Sequence, residues 1–404
     1  LCGSKKLKKV LDFKKTPLAN SYVKSPTIKE KYFPLVCVLC IDCKHLQLQH
    51  LVNPKIMFED YMYVSGTSPV LIKHFKNYFQ KIKKTLKLNK KKDKILDIAC
   101  NDGTFLNFFK KDKFKNVIGI EPAKNLRHLN KAKKIDINTA FFNYKNSFYF
   151  KKKYKKFKVI TANNVFAHVP NLKDFALGVK NILAPDGLFI FEVSYLKDVL
   201  KKLTFDTIYH EHMSYHSLKP LLNFFRSINL KVVDFDLVEA QGGSIRVYVG
   251  HKNSKVNETK IKKQIKIEKN SKLFSAQKYL DYFKRIKSQK NKIKILIKKN
   301  LKKNKLFVGY GAPAKVTTFC HFFELGEKEI KFIVDDNYLK QGKFTPGKNI
   351  QIINFKKLKN QNFDFIIILA WNFANPIIKK LKKNIKNKKF KIIVPFPKVK
   401  IIKS

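Results

Sequence analysis

The chain has 404 residues, 44% of them hydrophobic, with 36 Phe and 16 Tyr, which is the composition of a globular protein with more than one buried core. Lys plus Arg number 86 against 29 Asp plus Glu, a formal charge of +57, yet the arginines are only four (Arg127, Arg226, Arg246, Arg285) and the lysines run the whole length together with Ile, Asn and Phe. That is the mark of A/T-rich codons, so the charge reads as genome composition and nucleic acid is not an expected partner.

No run of about 18 uncharged apolar residues occurs, so neither a spanning helix nor a membrane partner is expected. The opening LCGSKKLKKV has no apolar signal core, and six cysteines in a chain of this size point to a reducing cytoplasm.

Residues 1–63 form a first block holding Cys2, Cys37, Cys40 and Cys43. Cys40-x-x-Cys43 suits a tight turn presenting two thiolates to one zinc ion, and Cys2 lies beside Gly3 in a turn of the same kind. Small buried cysteines without metal are the other reading.

Residues 64–250 alternate short apolar strands with helix-like segments, which implies a parallel sheet covered on both faces. KILDIA reads as a strand, CNDGT as a turn and FLNFFK as the start of a helix. A ligand then sits beyond the strand ends, at Asp97, Asn101, Asp102 and Gly103. Glu121, ending the next strand in NVIGIEPA, is placed to accept from a ribose diol, and Asn163 and Asn164 end a later one. The absence of a G-x-G-x-x-G run argues against a dinucleotide and favours an adenosyl ligand, S-adenosylmethionine, over nicotinamide or an empty structural turn.

FDTIYHEHMSYHS, Phe205 to Ser217, gathers three of the chain's ten histidines. Strand-like alternation would pair Tyr209 with Glu211 on one face and His210 with His212 on the other, whereas an irregular loop would converge three of them. This is no helical zinc motif, and general acid/base work suits it better, because imidazole changes charge near neutral pH. In GGSIRVY, Arg246 is read either as an anion contact or as a structural salt bridge.

Residues 251–404 begin with Lys-rich helices or linker and continue as a second strand, turn and helix unit. GYGAPAK offers Gly309, Gly311 and Lys315 to a diphosphate, and Asp335 to Asn337 lie where such folds hold a ribose. The basic tail KVKIIKS reads as solvated.

Taken together, LCGS, CIDC, DYMYVSGTSP, IACNDGTFL, GIEPA, ANNVFAHVPN, FDTIYHEHMSY, GGSIRVY, GYGAPAK, VDDN and LAWNF resemble the S-adenosylmethionine-dependent sugar C-methyltransferases, in order and over nearly the whole chain. The resemblance implies an α/β architecture: a small zinc-binding N-terminal module, a central doubly wound methyltransferase sheet and a second Rossmann-like C-terminal domain. It implies S-adenosylmethionine as cofactor and a nucleotide-linked keto-deoxysugar, dTDP-linked, as partner, with no bound NAD. Tyr63, His168, Tyr209, Glu211 and His212 would line the sugar, with His212 as general base. Arg246, Gly311 and Lys315 are the expected substrate contacts. A structural zinc ion is implied at Cys2, Cys40 and Cys43; the leading cysteine of the family's first pair would fall before Leu1, and Cys37 is extra. Cys100 stands where the family commonly has Ser. A zinc-containing RNA methyltransferase and a non-catalytic sugar-nucleotide binder are the competing readings.

Overall fold

The computed structural model describes residues 1–385 and 388–404, which build three sheets. The first block gives β1 (Leu7–Thr16), β2 (Phe33–Cys40) and β3 (Leu46–Leu48). The second gives β4 (Lys94–Ile98), β5 (Asn116–Ile120), β6 (Asp136–Asn138), β7 (Phe157–Asn163), β8 (Leu183–Ser194), β9 (Ser214–Tyr215), β10 (Leu230–Val238) and β11 (Ser244–His251). The last gives β12 (Phe307–Tyr310), β13 (Ile333–Val334), β14 (Ile352–Ile353), β15 (Phe365–Ile368), β16 (Lys391–Val394) and β17 (Lys400–Lys403).

The central sheet runs β10-β11-β8-β7-β4-β5-β6, with β8, β7, β4, β5 and β6 parallel and β11 antiparallel to β8. Alternation along β4 sends Ile95 into one core and Leu96 and Ile98 into another, so each face is covered, as a parallel sheet requires. Strand order reverses beside β4, between β5 and β7, which opens a crevice at their carboxyl ends.

The third sheet runs β14-β13-β12-β15-β16-β17, parallel except for β17. Its core is continuous with that of the first sheet: Val10, Leu11 and Phe13 pack in one cluster with Phe319, Phe323 and Phe396. The Lys-rich stretch forms two helices, Glu258–Asn270 and Ala276–Leu301. Tyr279, Tyr282, Ile286, Ile293 and Ile297 recur at helical spacing and are buried. Each such burial is worth about 1.5–3 kcal/mol, which holds a helix whose other face is solvated lysine.

One expectation is corrected. The tail is not merely solvated: Ile401 and Ile402 lie in β17, an edge strand antiparallel to β16, and its charged residues stay exposed. The first sheet is completed by β9 from the second block, with Leu46 opposite Tyr215 and Gln47 opposite Ser214. The histidine-rich segment is thereby tied to the N-terminal sheet.

No helix among the described residues is long and apolar enough to cross a membrane.

Candidate active site

The turn after β4 is built from left-handed residues, Ala99 at φ 53°, Asn101 at 55° and Gly103 at 70°. A side chain at Gly103 would meet Asn130 Oδ1 at 2.5 Å and Ile135 Cδ1 at 2.8 Å, so only glycine fits there. Asp97 is buried and accepts from Thr161 Oγ1 at 2.7 Å and Asn163 Nδ2 at 3.3 Å. Burial pushes its carboxyl up to about 7. Glu121 accepts from the backbone N–H of Asn101 at 2.6 Å and of Ala123 at 2.8 Å, and burial again pushes it up to about 7. Asn163 Oδ1 is buried without a partner, a spare acceptor at the strand end.

The side chains of Asn101 and Asp102 reach residues 63–66. Asn101 Oδ1 accepts from Ser65 N at 2.8 Å while its Nδ2 donates to the Tyr63 carbonyl at 2.9 Å. Asp102 Oδ2 accepts from Gly66 N at 3.2 Å, Thr104 Oγ1 at 2.7 Å and Lys133 Nζ at 2.9 Å. Both side chains hold residues 63–66 over the turn.

The histidine-rich segment does not continue as a strand. Phe205–Thr207 is a single 3-10 turn, and His212 N donates to the Tyr209 carbonyl at 2.9 Å, closing a second turn. The convergence is therefore at i, i+3: Tyr209 Oη lies 3.0 Å from His212 Nε2. His210 turns away, its Nε2 3.2 Å from the Phe33 carbonyl.

His212 Nδ1 is 2.7 Å from the Thr207 carbonyl. A carbonyl only accepts, so Nδ1 carries the proton and Nε2 presents a lone pair. Burial pushes His212 down to about 4, which keeps it neutral at ordinary pH. The His168 ring stands edge-on 4.9 Å away, and both imidazoles line one small cavity with Asn164 and Thr207.

Glu211 is buried, its two oxygens accepting from Asn20 Nδ2 at 2.5 Å and Tyr61 Oη at 3.0 Å. Burial pushes it up to about 7, against these bonds and the charge of Lys340. Lys340 itself donates to the Ala312 carbonyl at 2.7 Å, which also accepts from Tyr22 Oη at 2.6 Å. Tyr63 stands with its ring centroid 6.5 Å from Tyr61 and is 43% exposed.

Because Glu211 titrates near 7 when folded and near 4.5 when unfolded, ionising it opposes folding. The protein loses that advantage as pH rises through 7. Urea unfolding at pH 5 and pH 8 should show wild type losing up to about 3 kcal/mol relative to Glu211→Gln across that interval; equal losses would place the titration elsewhere.

Three expected substrate contacts have other partners. Arg246 donates through Nε and Nη2 to Glu192 Oε2 at 3.0 and 2.7 Å and lies 3.6 Å from the Tyr78 ring centroid, so of its two readings the structure makes the salt bridge. Lys315 lies 3.6 Å from Asp206 and 4.7 Å from the Trp371 ring centroid. Gly311, at φ 90°, lets the turn close on Ala370, whose Cβ would be 2.5 Å from a side chain there.

In the first block, Cys2, Cys40 and Cys43 bring three sulfurs within 4.8 Å of one another. That set fits a thiolate zinc site. Cys37 is buried in the core apart from it. Cys40→Ala should release zinc and lower the thermal midpoint, and Cys37→Ala should retain the metal, measured by atomic emission beside thermal melts.

Family models match as a zinc binding domain over 1–58, a methyltransferase domain over 71–234 and a C-methyltransferase C-terminal domain over 239–397. C-methyltransferase NovU of Streptomyces niveus is 30% identical over 406 residues, covering 100% of this chain and 96% of that protein. The chain belongs to the C-methyltransferase family. As a member of it, the protein is an S-adenosylmethionine-dependent C-methyltransferase that also takes zinc.

More distant likenesses include an S-adenosylmethionine-dependent methyltransferase from Clostridium acetobutylicum, at 14% identity and TM-score 0.35 over 45% of this chain and 92% of that one. Another is the PH0226 protein of Pyrococcus horikoshii, at 15% and 0.36 over 50% and 100%.

Beside the expected residues this C-methyltransferase brings in Asn20, Tyr61 and Lys340, which sequence reasoning missed. Tyr61 stood two residues from Tyr63 inside DYMYVSGTSP and was legible as a candidate. Asn20 and Lys340 carry no local signal, since only tertiary folding brings them to Glu211.

Proposed function

We propose that the protein methylates a carbon next to the ketone of a nucleotide-linked keto-deoxysugar, the nucleotide being dTDP. The observation that carries this reading is His212, a neutral imidazole whose Nε2 lone pair faces Tyr209 beside a second histidine in a cavity. A carbon beside a carbonyl is acidic enough for such a base, and a C-methyltransferase needs a carbanion equivalent at the carbon it methylates.

In this reading the substrate's C–H takes the place of the Tyr209 hydroxyl at Nε2, and His212 accepts the proton. Tyr209, whose phenol burial holds well above its usual pKa, keeps its own proton and donates it as a hydrogen bond to the enolate oxygen. Glu211 offsets the imidazolium charge, and His168, Tyr61 and Tyr63 wall the sugar. Asp97, Glu121, Asn163 and Asn164 are proposed to hold S-adenosylmethionine, with Gly103 giving it room and Asn101 and Asp102 bracing the turn. When bound, the cofactor supplies an electrophilic methyl on a sulfonium. Residues 1–63, 64–250 and 251–404 act as zinc module, methyltransferase and sugar-nucleotide unit, the last through the Gly311 turn. None of the six cysteines is in a disulfide, which suits the cytoplasm.

Solvent deuterium incorporation tests the reading. A panel of dTDP-4-keto-6-deoxysugars, incubated with protein in D2O without S-adenosylmethionine, should exchange one position next to the ketone, read by mass spectrometry. No exchange and no methylation with any of them would reject a keto-sugar acceptor.

A further inference from the structure

We infer that the unit built on the third sheet sets the tautomer of His212, with Trp371, Asp206 and Thr318 as positioning residues. This rests on the reading of His212 as the base. The turn 205–208 is gripped by that unit on both sides of the one carbonyl that His212 uses. Phe205 sits among Phe396, Phe323 and Phe319, with centroids 5.0, 5.7 and 6.2 Å away. Asp206 is 0% exposed; its Oδ2 accepts from Trp371 Nε1 at 2.7 Å and faces Lys315 Nζ at 3.6 Å, while its Oδ1 is without a partner. Thr318 Oγ1 donates to the Ile208 carbonyl at 2.7 Å.

Thr207 lies between these anchors. The peptide joining Thr207 to Ile208 is fixed at both ends: Ile208 N–H donates to the Phe205 carbonyl at 2.9 Å, and the Thr207 carbonyl receives His212 Nδ1–H at 2.7 Å. If this carbonyl turns aside, only the Tyr209 hydroxyl at Nε2 still favours the proton on Nδ1; once substrate displaces that hydroxyl, the alternative tautomer places the proton on Nε2, where the base must be free. The buried carboxylate makes the grip strict, because removing a donor leaves a charge with too few partners. Trp371 is the chain's single tryptophan, and with Lys315 and Asp206 it gains a role in which neither it nor Lys315 touches the sugar.

The test uses full-length protein labelled with 15N-histidine, His212 being assigned by its loss in His212→Ala. Wild type should show His212 protonated on Nδ1. Trp371→Phe keeps an aromatic ring, though a smaller one, and removes the donor; it should show a mixed tautomer and about a tenfold fall in kcat on a dTDP-4-keto-6-deoxysugar, with unchanged S-adenosylmethionine affinity. Thr318→Val, a milder change should Trp371→Phe fold poorly, should move both readouts the same way, and Thr318→Ser should restore them. Wild-type tautomer and kcat in both Trp371→Phe and Thr318→Val, with His212→Ala inactive, would overturn the positioning role and leave the base in place. Full turnover by His212→Ala would instead remove the base.

Discussion

His212→Ala is expected to lower turnover by about 10²–10⁴-fold, the usual contribution of a positioned acid or base, while S-adenosylmethionine affinity stays close to wild type. The two effects separate because His212 lies in the turn after Phe205–Thr207, whereas the proposed cofactor residues lie at the ends of β4, β5 and β7. Losing the imidazole removes the acceptor at Nε2 and leaves Tyr209 without its partner, but touches neither Asp97 nor Glu121. Solvent exchange beside the ketone should vanish with turnover. Exchange that survived in His212→Ala would move the base to Glu211, the other buried group in the turn with an oxygen lone pair and a pKa near neutrality.

The central unit was legible because its signals are local. KILDIA, NVIGIEPA and FKVITANN carry their apolar runs, the polar turn and the terminal carboxylate within a few residues, and β4, β5 and β7 fall on them. The catalytic turn was legible in composition and not in geometry. Four consecutive residues can be phased as a strand or a turn, and what decides it is remote: Phe205 buried against Phe319, Phe323 and Phe396, and β9 pairing with β3. Charge partners were the least legible. The sequence left Arg246 open between an anion contact and a salt bridge and gave Lys315 no partner, because Glu192 and Asp206, which hold them, lie more than fifty residues away in each case. Lys340 is one lysine among many until folding sets its charge near Glu211.

Glu121→Ala should have the complementary effect: S-adenosylmethionine binding weakened by about 10–100-fold, with kcat near wild type once the cofactor is saturating. Hydrogen bonds to a charged group are worth about 1.5–3 kcal/mol, and one such bond to a ribose hydroxyl accounts for that range. In the free protein Glu121 already accepts from the N–H groups of Asn101 and Ala123, so its loss also loosens the turn that Gly103 closes. Glu121→Gln separates the two causes. An amide keeps one acceptor oxygen but loses the charge and half the acceptor capacity, so it should bind more tightly than the Ala variant and less tightly than wild type. Calorimetric titration of the three proteins gives that order directly. Equal affinities would show that Glu121 only braces the turn, and the ribose would then be sought at the unpartnered Asn163 Oδ1.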